Sequence, residues 1–325
     1  MNPIKAHVYN YWSANPGPAT APSLTAFLAP DVRWRGPYPF DDITGTDALA
    51  EQFWEPLHAS FTGLHRRTDL FMGGECEGEQ WVSSHGYFVG IFARDWLGIP
   101  ATGRRAFLRF GEFCRVEGGR ITQIYTLLDI VDLAAQAGVA LLPSSRGIAG
   151  FVPPPRTADG LLLADQPQVE SQTTFQMAYD MLFGGLNKFA GDTAAESETE
   201  SMGLARYWHP DMHWYGPAGI GTTRDMIEFQ KWHQFPWLEA FPDRQVIWES
   251  PMFGDGDYAA TAGWKEVIAT HTGPYLGFEP SGKVLEFRIM DWWRRDGDKL
   301  AENWVLIDLL DMVRQIGADP FAALK

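Results

Sequence analysis

"PDVRWRGP" at residues 30–37 returns as "PDMHWYGP" at 210–217, a separation of 180 positions (217 − 37 = 180). Eight residues alone would decide little, but the echo continues through both halves. The glycine of "SHGYFVG", Gly86, stands opposite that of "TAGWKEV", Gly263, 177 positions on (263 − 86 = 177). "LGIPATGR" at 97–104 lies opposite "LGFEPSGK" at 276–283 (276 − 97 = 179). "RITQIYTLLDIVDLAAQAG" at 120–138 matches "KLAENWVLIDLLDMVRQIG" at 299–317 at the same 179 (299 − 120 = 179). An offset that drifts by so little means small insertions within one conserved order of elements, so the chain is a tandem duplication. The repeat far exceeds the periods of about 20 to 50 residues that mark solenoids and propellers. Each copy is therefore expected to be a whole domain with its own core.

Length and composition agree. The 325 residues divide into two at about 150 per domain, and 45% hydrophobic with 14% aromatic content is ample for two packed interiors. The 14 tryptophans fit either large rings filling the concave side of a curved sheet or an aromatic-lined pocket for a flat apolar ligand. A net charge of −15 and no cluster of Lys and Arg argue against nucleic acid as a partner, and equally against anionic membranes. Cys76 and Cys114 have no CxxC spacing, so neither a disulfide framework nor a metal site is expected. The N-terminus "MNPIKAHVYNYW" has no signal-like apolar run, and no stretch reaches the roughly 18 apolar residues of a membrane span; the expected location is the cytoplasm.

Each copy reads as helices followed by strands. In the second, "SQTTFQMAYDMLFGGLNKFAG" (171–191) has the apolar spacing of an amphipathic helix ending at Gly191, and "ESMGLARYW" continues helical. "TTRDMIEFQKWHQF" offers a threonine cap and a third helix, and "DRQVIWESPMFG", "DYAATAGWKEVIAT", "VLEFRIMDWWRR" and "LAENWVLID" read as strands. Helices first and antiparallel strands afterwards predict an α+β fold, a curved and mostly antiparallel sheet wrapped on its helices into a cone. The proline- and glycine-rich 142–168 reads as a linker between a domain at 1–141 and another at 169–325, long enough to let the copies form an intrachain pseudo-dimer. Further homo-oligomerisation is left open.

The second copy carries "AFPDRQV" (240–246), "GDGDYAATAGWKEVIATHTGPYLGFEPSGK" (254–283) and "ENWVLIDLLDMVRQIGA" (302–318). These segments resemble the SnoaL-like polyketide cyclases of the NTF2-like superfamily, which also contains ketosteroid isomerase. The resemblance spans each repeat nearly end to end. The first copy departs from it, with "GLHRR" in place of FPDR, Phe92 in place of His271 and Tyr125 in place of Trp304. The resemblance implies ring closure by an aldol step on a small apolar or aromatic carbonyl compound. It implies a pocket carboxylate as general acid and base, with no cofactor and no metal.

Three residues are the catalytic candidates: Asp308, its counterpart Asp129 in the first copy, and His271 on the "THTG" turn. With a period of two, Trp304, Leu306 and Asp308 share one face of the last strand, and that face is expected to be the interior. The competing reading is a cap, because Asp-x-x-Asp (308 and 311; 129 and 132) also marks a helix N-terminus. Trp304, Trp292, Trp214, Tyr125, Arg288 and Asp291 are the substrate-binding candidates. Arg288 and Asp291 lie three apart on a strand and so face opposite ways. The larger and more polar cavity is expected in the second copy. A hydrolase or dehydratase on the same scaffold, and a domain that only binds small molecules, remain as alternatives.

Overall fold

A computed structural model describes residues 2–14, 21–185, 201–247 and 251–325. It divides into two compact units: 1–141 with 154–165 and 321–325, and 142–153 with 166–320. The first unit opens with a helix at Pro3–Ala14. Strands β1 (Leu28–Arg35) and β2 (Asp42–Thr44) follow, and then a helical run from Thr46 to Ser60. The long strands β3 (Phe61–Cys76), β4 (Glu79–Phe92), β5 (Arg105–Glu117) and β6 (Arg120–Leu128) come next, and a helix at Ile130–Gln136 closes the repeat. The sheet order is β2-β1-β6-β5-β4-β3, in which β1 and β6 run parallel and the other neighbours antiparallel.

The second unit repeats this plan. A helix at Gln168–Tyr179 widens into a π-helical turn at Asp180–Gly185, and a short 3-10 turn at Ser201–Arg206 leads into β7 (Trp208–Tyr215) and β8 (Thr222–Thr223). After a helical run from Met226 to Ala240 come β9 (Gln245–Val246), β10 (Met252–Asp255), β11 (Tyr258–Thr270), β12 (Val284–Asp296) and β13 (Lys299–Ile307), with a helix at Leu309–Ile316. Its order, β8-β7-β13-β12-β11-β10, reproduces the first sheet strand for strand, with β9 also on β11 and β7 parallel to β13. The α+β class and the order of elements are therefore as the sequence predicts.

Local differences have physical causes. The expected helix end at Gly191 lies outside the described residues. The 201–206 segment is a tight 3-10 turn. The third helix is capped by Asp225, whose carboxylate accepts from the Glu228 N–H at 2.8 Å, in place of a threonine. Both copies place a π-helical turn, 50–54 and 230–234, just before Pro56 and Pro236. A proline inside a helix removes one donor and crowds the preceding turn, and the wider turn accommodates it.

The expected linker 142–168 is shared between the units. Residues 142–153 belong to the second, where Ile148 bridges Thr222 and the Thr222 hydroxyl donates to the Phe151 carbonyl at 2.5 Å. Residues 154–165 belong to the first, where Phe71 and Gly160–Leu162 exchange backbone hydrogen bonds and Lys5 Nζ donates to the Leu162 and Ala164 carbonyls. Both cysteines are free thiols. No helix among the described residues is long and apolar enough to cross a membrane.

Candidate active site

Two long strands of the second sheet, β12 and β13, present alternate side chains to one cavity, and β11 adds the adjacent Glu266 and Val267. β12 contributes Ile289, Asp291 and Trp293, and β13 contributes Asn303, Val305 and Ile307. Trp208 and Trp214 of β7, and Phe229, His233, Gln234 and Trp237 of the helical run, make the facing walls. The cavity holds about 110 Å³, or about 810 Å³ with the space running out to its mouth.

Asp291 is the chemical centre of this space. It is partly exposed, yet protein surrounds it, because the surface it exposes is that of the cavity. Its Oδ1 accepts from the Asn303 amide at 3.0 Å. Burial pushes its carboxyl up to about 7, against the smaller downward pull of that amide. Burial pushes His233 the other way, to about 3, so its imidazole is neutral. The His233 ring stacks on Trp214 with centroids 4.1 Å apart, and its Nδ1 has no hydrogen-bond partner among the described residues. Glu266 adds a second buried carboxyl, which accepts from the Thr261 hydroxyl at 3.5 Å. It enters through an irregularity in β11. Between Gly263 and Val267 three residues oppose the single Arg288 of β12, whereas Tyr87 alone separates Gly86 from Phe88 in β4.

The first copy has the same framework, and large side chains occupy the matched interior places. Ladder registers match Glu112 to Asp291, Ser84 to Thr261 and Arg66 to Val246. Arg66 reaches into its sheet's interior, where its guanidinium pairs with Glu112 and donates to Ser84. It lies 3.8 Å from the Phe110 ring centroid and 4.2 Å from that of Trp12. Trp34 donates to Thr126 at 2.8 Å, Thr126 donates to Glu112 at 3.3 Å, and Trp34 stacks on Phe53. The space beside Arg66, Trp54 and His58 is about 10 Å³, hardly the size of one water. Of these two matched interior spaces the larger is that of the second copy, where Val246 is too short to fill it.

Of the residues singled out from sequence, Asp291 and Trp214 line the cavity. The expected phase of the last strand is corrected: β13 turns Asn303, Val305 and Ile307 inward, so Trp304 and Asp308 belong to the opposite side. Trp304 there donates to the Pro153 carbonyl at 2.9 Å and packs on Tyr215. Trp292 is its register partner across the ladder. Asp308 caps the last helix, accepting from the Asp311 N–H at 3.1 Å and from Arg288 at 3.3 Å. Asp129 makes the same cap, to Asp132 at 3.0 Å. His271 is buried on its turn, bonded to Ser281 at 3.2 Å and stacked on Phe241, and burial lowers its pKa. Tyr125 lies under Arg35, 5.3 Å from the cation to the ring centroid.

Sequence reasoning missed Glu266, His233 and Asn303. The signal for Glu266 was the drift of the repeat offset from 177 to 179, which is the two-residue insertion in β11. His233 was legible as the counterpart of Phe53 (233 − 53 = 180). Among the described residues no group of three or more His, Cys, Asp or Glu side chains is placed to hold a metal ion.

The model of the SnoaL-like polyketide cyclase family matches residues 192–316, and that of the SnoaL-like domain matches 15–124. Solved structures similar to this chain each span about one copy. TsrD from Streptomyces laurentii is 20% identical, covering 45% of this chain and 96% of its own, with a TM-score of 0.36. An NTF2-like protein from Burkholderia thailandensis E264 is 22% identical, with 42% and 98% covered and a TM-score of 0.34. A protein of ketosteroid isomerase-like fold from Catenulispora acidiphila DSM 44928 is 16% identical, with 41% and 92% covered and a TM-score of 0.32. The search of curated proteins found no match.

Proposed function

Because the chain is a tandem of two SnoaL-like domains, we propose that its second domain is a cofactor-independent enzyme of the cyclase or isomerase type. It moves a proton at a carbon beside a carbonyl, with Asp291 as general acid and base. The observation that carries this reading is the Asp291 carboxyl: it faces an aromatic cavity, is held by one amide, and is pushed up to about 7. A carboxyl in that range populates both forms near neutrality, which is what proton transfer in both directions needs.

The steps balance on Asp291 alone. Its carboxylate takes the α-proton and the C–H electrons move to the carbonyl oxygen as an enolate. The enolate carbon attacks a second carbonyl of the same molecule, forming the new C–C bond, and the resulting alkoxide takes the proton back from Asp291. The amide of Gln234 and the neutral imidazole of His233, both on the cavity wall, are the donors for the developing oxyanion. The inner space of about 110 Å³ is smaller than the roughly 150 Å³ cavity that takes one benzene. Only the reacting end of a substrate enters it, and the rest occupies the mouth. The first copy, with Arg66 on Glu112, is proposed to be inactive.

The test is α-proton exchange of an aryl ketone in D2O, followed by NMR. The parent accelerates exchange, and Asp291→Asn loses about a hundred- to ten-thousand-fold. Equal rates for the two proteins overturn the assignment.

A further inference from the structure

Both copies give the carboxyl at this place in the sheet a donor from the last strand, and they do so from different positions. In the first, Thr126 stands directly opposite Glu112 on the ladder, and its hydroxyl donates to Glu112 at 3.3 Å. In the second, the residue opposite Asp291 is Val305, whose side chain has no donor to offer. The donor comes instead from Asn303, one step along the same face, where the first copy has Ile124 (303 − 124 = 179).

Asn303 is buried, and its amide cannot turn over. Its Nδ2 donates to Asp291 Oδ1 at 3.0 Å and to the Trp292 carbonyl at 3.1 Å. A carbonyl oxygen only accepts, so the amide nitrogen must face Trp292, and its other N–H is thereby aimed at the carboxyl. Asp291 Oδ1 is thus an acceptor whether or not the carboxyl is charged. Oδ2 makes no hydrogen bond among the described residues, and the surface that Asp291 exposes is the cavity's.

We infer that Asn303 is the positioning residue of the Asp291 site: by holding Oδ1 as an acceptor, it leaves Oδ2 as the atom that carries the proton to and from the substrate. This deepens the reading of the cavity as an active site and rests on it. The bond from Asn303 fixes the plane of the carboxyl, so the carbon acid has to approach along the Oδ2 edge. The same amide favours the charged carboxylate and so opposes the upward push of burial.

The test uses the full chain labelled with 13C at its aspartate carboxyls and titrated by NMR. Glu266 from β11 and the neutral His233 from the helical run, the other titratable groups among the described lining residues, do not enter that signal. The Asp291 resonance is assigned by its loss in Asp291→Asn. Asn303→Leu, which keeps the volume and removes the donor, is expected to raise its midpoint by about 1 to 2 in pH, the worth of a hydrogen bond to a charged group. The pH at which α-proton exchange reaches half its limiting rate should rise equally, and the limiting rate should fall about tenfold or more with KM unchanged. Adding Val305→Thr, which supplies the first copy's donor, should bring the midpoint back toward the parent's and recover part of the rate. Asn303→Ala, which also lacks the donor, gives the same reading if Leu is not accommodated. A merely structural Asn303 would lower Tm and leave the midpoint in place. An unmoved or lowered midpoint, or a limiting rate equal to the parent's, overturns the inference. The titration needs no turnover, so a parent that fails to accelerate exchange sinks the active-site reading, and an unmoved midpoint sinks this one.

Discussion

Replacing Asp291 with Asn should change how stability depends on pH, in a direction fixed by the cavity. The carboxyl is raised from its usual 3.8 to about 7 by burial. At about 1.4 kcal/mol for each pH unit, the displacement corresponds to about 4 kcal/mol. Water admitted to the cavity relaxes part of this, so about 2 to 4 kcal/mol is expected. Below pH 3.8 both the folded and the unfolded chain hold the proton, and Asp291 contributes no pH dependence. Between 3.8 and about 7 only the folded chain holds it, so the parent loses stability as pH rises. Above 7 the loss is complete. Asn has nothing to titrate, and all other groups are common to both proteins. The difference in unfolding free energy, variant minus parent, should thus grow by about 2 to 4 kcal/mol between pH 4 and pH 8. Urea denaturation at several pH values, followed by tryptophan fluorescence, measures it. A difference that stays constant with pH would refute the reasoning, since an ordinary solvated carboxyl behaves that way.

Asp308→Ala should lower stability by about 1 kcal/mol through the lost cap, less for Asp308→Asn, and both should exchange α-protons at the parent's rate; a collapse in rate would restore Asp308 to the chemistry. Arg66→Met should destabilise the first unit by about 3 to 5 kcal/mol because Glu112 is left buried without its cation. Adding Glu112→Gln should recover much of that loss, and a urea midpoint unchanged by Arg66→Met would contradict the packing described for that interior.

Which parts of this were legible in the sequence follows from what a periodicity can encode. The duplication and the order of elements were open to inspection because offsets and alternations are properties of the chain itself. That Arg288 and Asp291 face opposite ways was equally plain. A period of two says which residues share a face, and leaves unsaid which face is covered by helices. Asp308 was therefore placed inside although it lies on the other side, capping a helix its own spacing announced. Asp291 became central through the absence of a cation at position 246, a partner distant in sequence whose place only the ladder registers identify. Glu266 depended on an insertion whose location within β11 no local pattern reveals.

Residues 142–153 belong to the second unit, while 154–165 and 321–325 belong to the first. A gene duplication normally leaves each copy free to be discarded, since a stop codon or a deletion at the junction releases an intact neighbour. Here that holds for the second unit, which a chain starting at 142 keeps whole, but no single cut releases the first. Ending the chain at 141 strips the first unit of 154–165, whose backbone pairs with Phe71 and whose carbonyls satisfy Lys5, and also of its final five residues. Starting it at 166 takes from the second unit the Phe151 and Pro153 carbonyls that satisfy Thr222 and Trp304. The dependence runs one way: the first unit's segments lie on both sides of the second, so the domain with the filled interior cannot be separated by one cut while the one with the open cavity can.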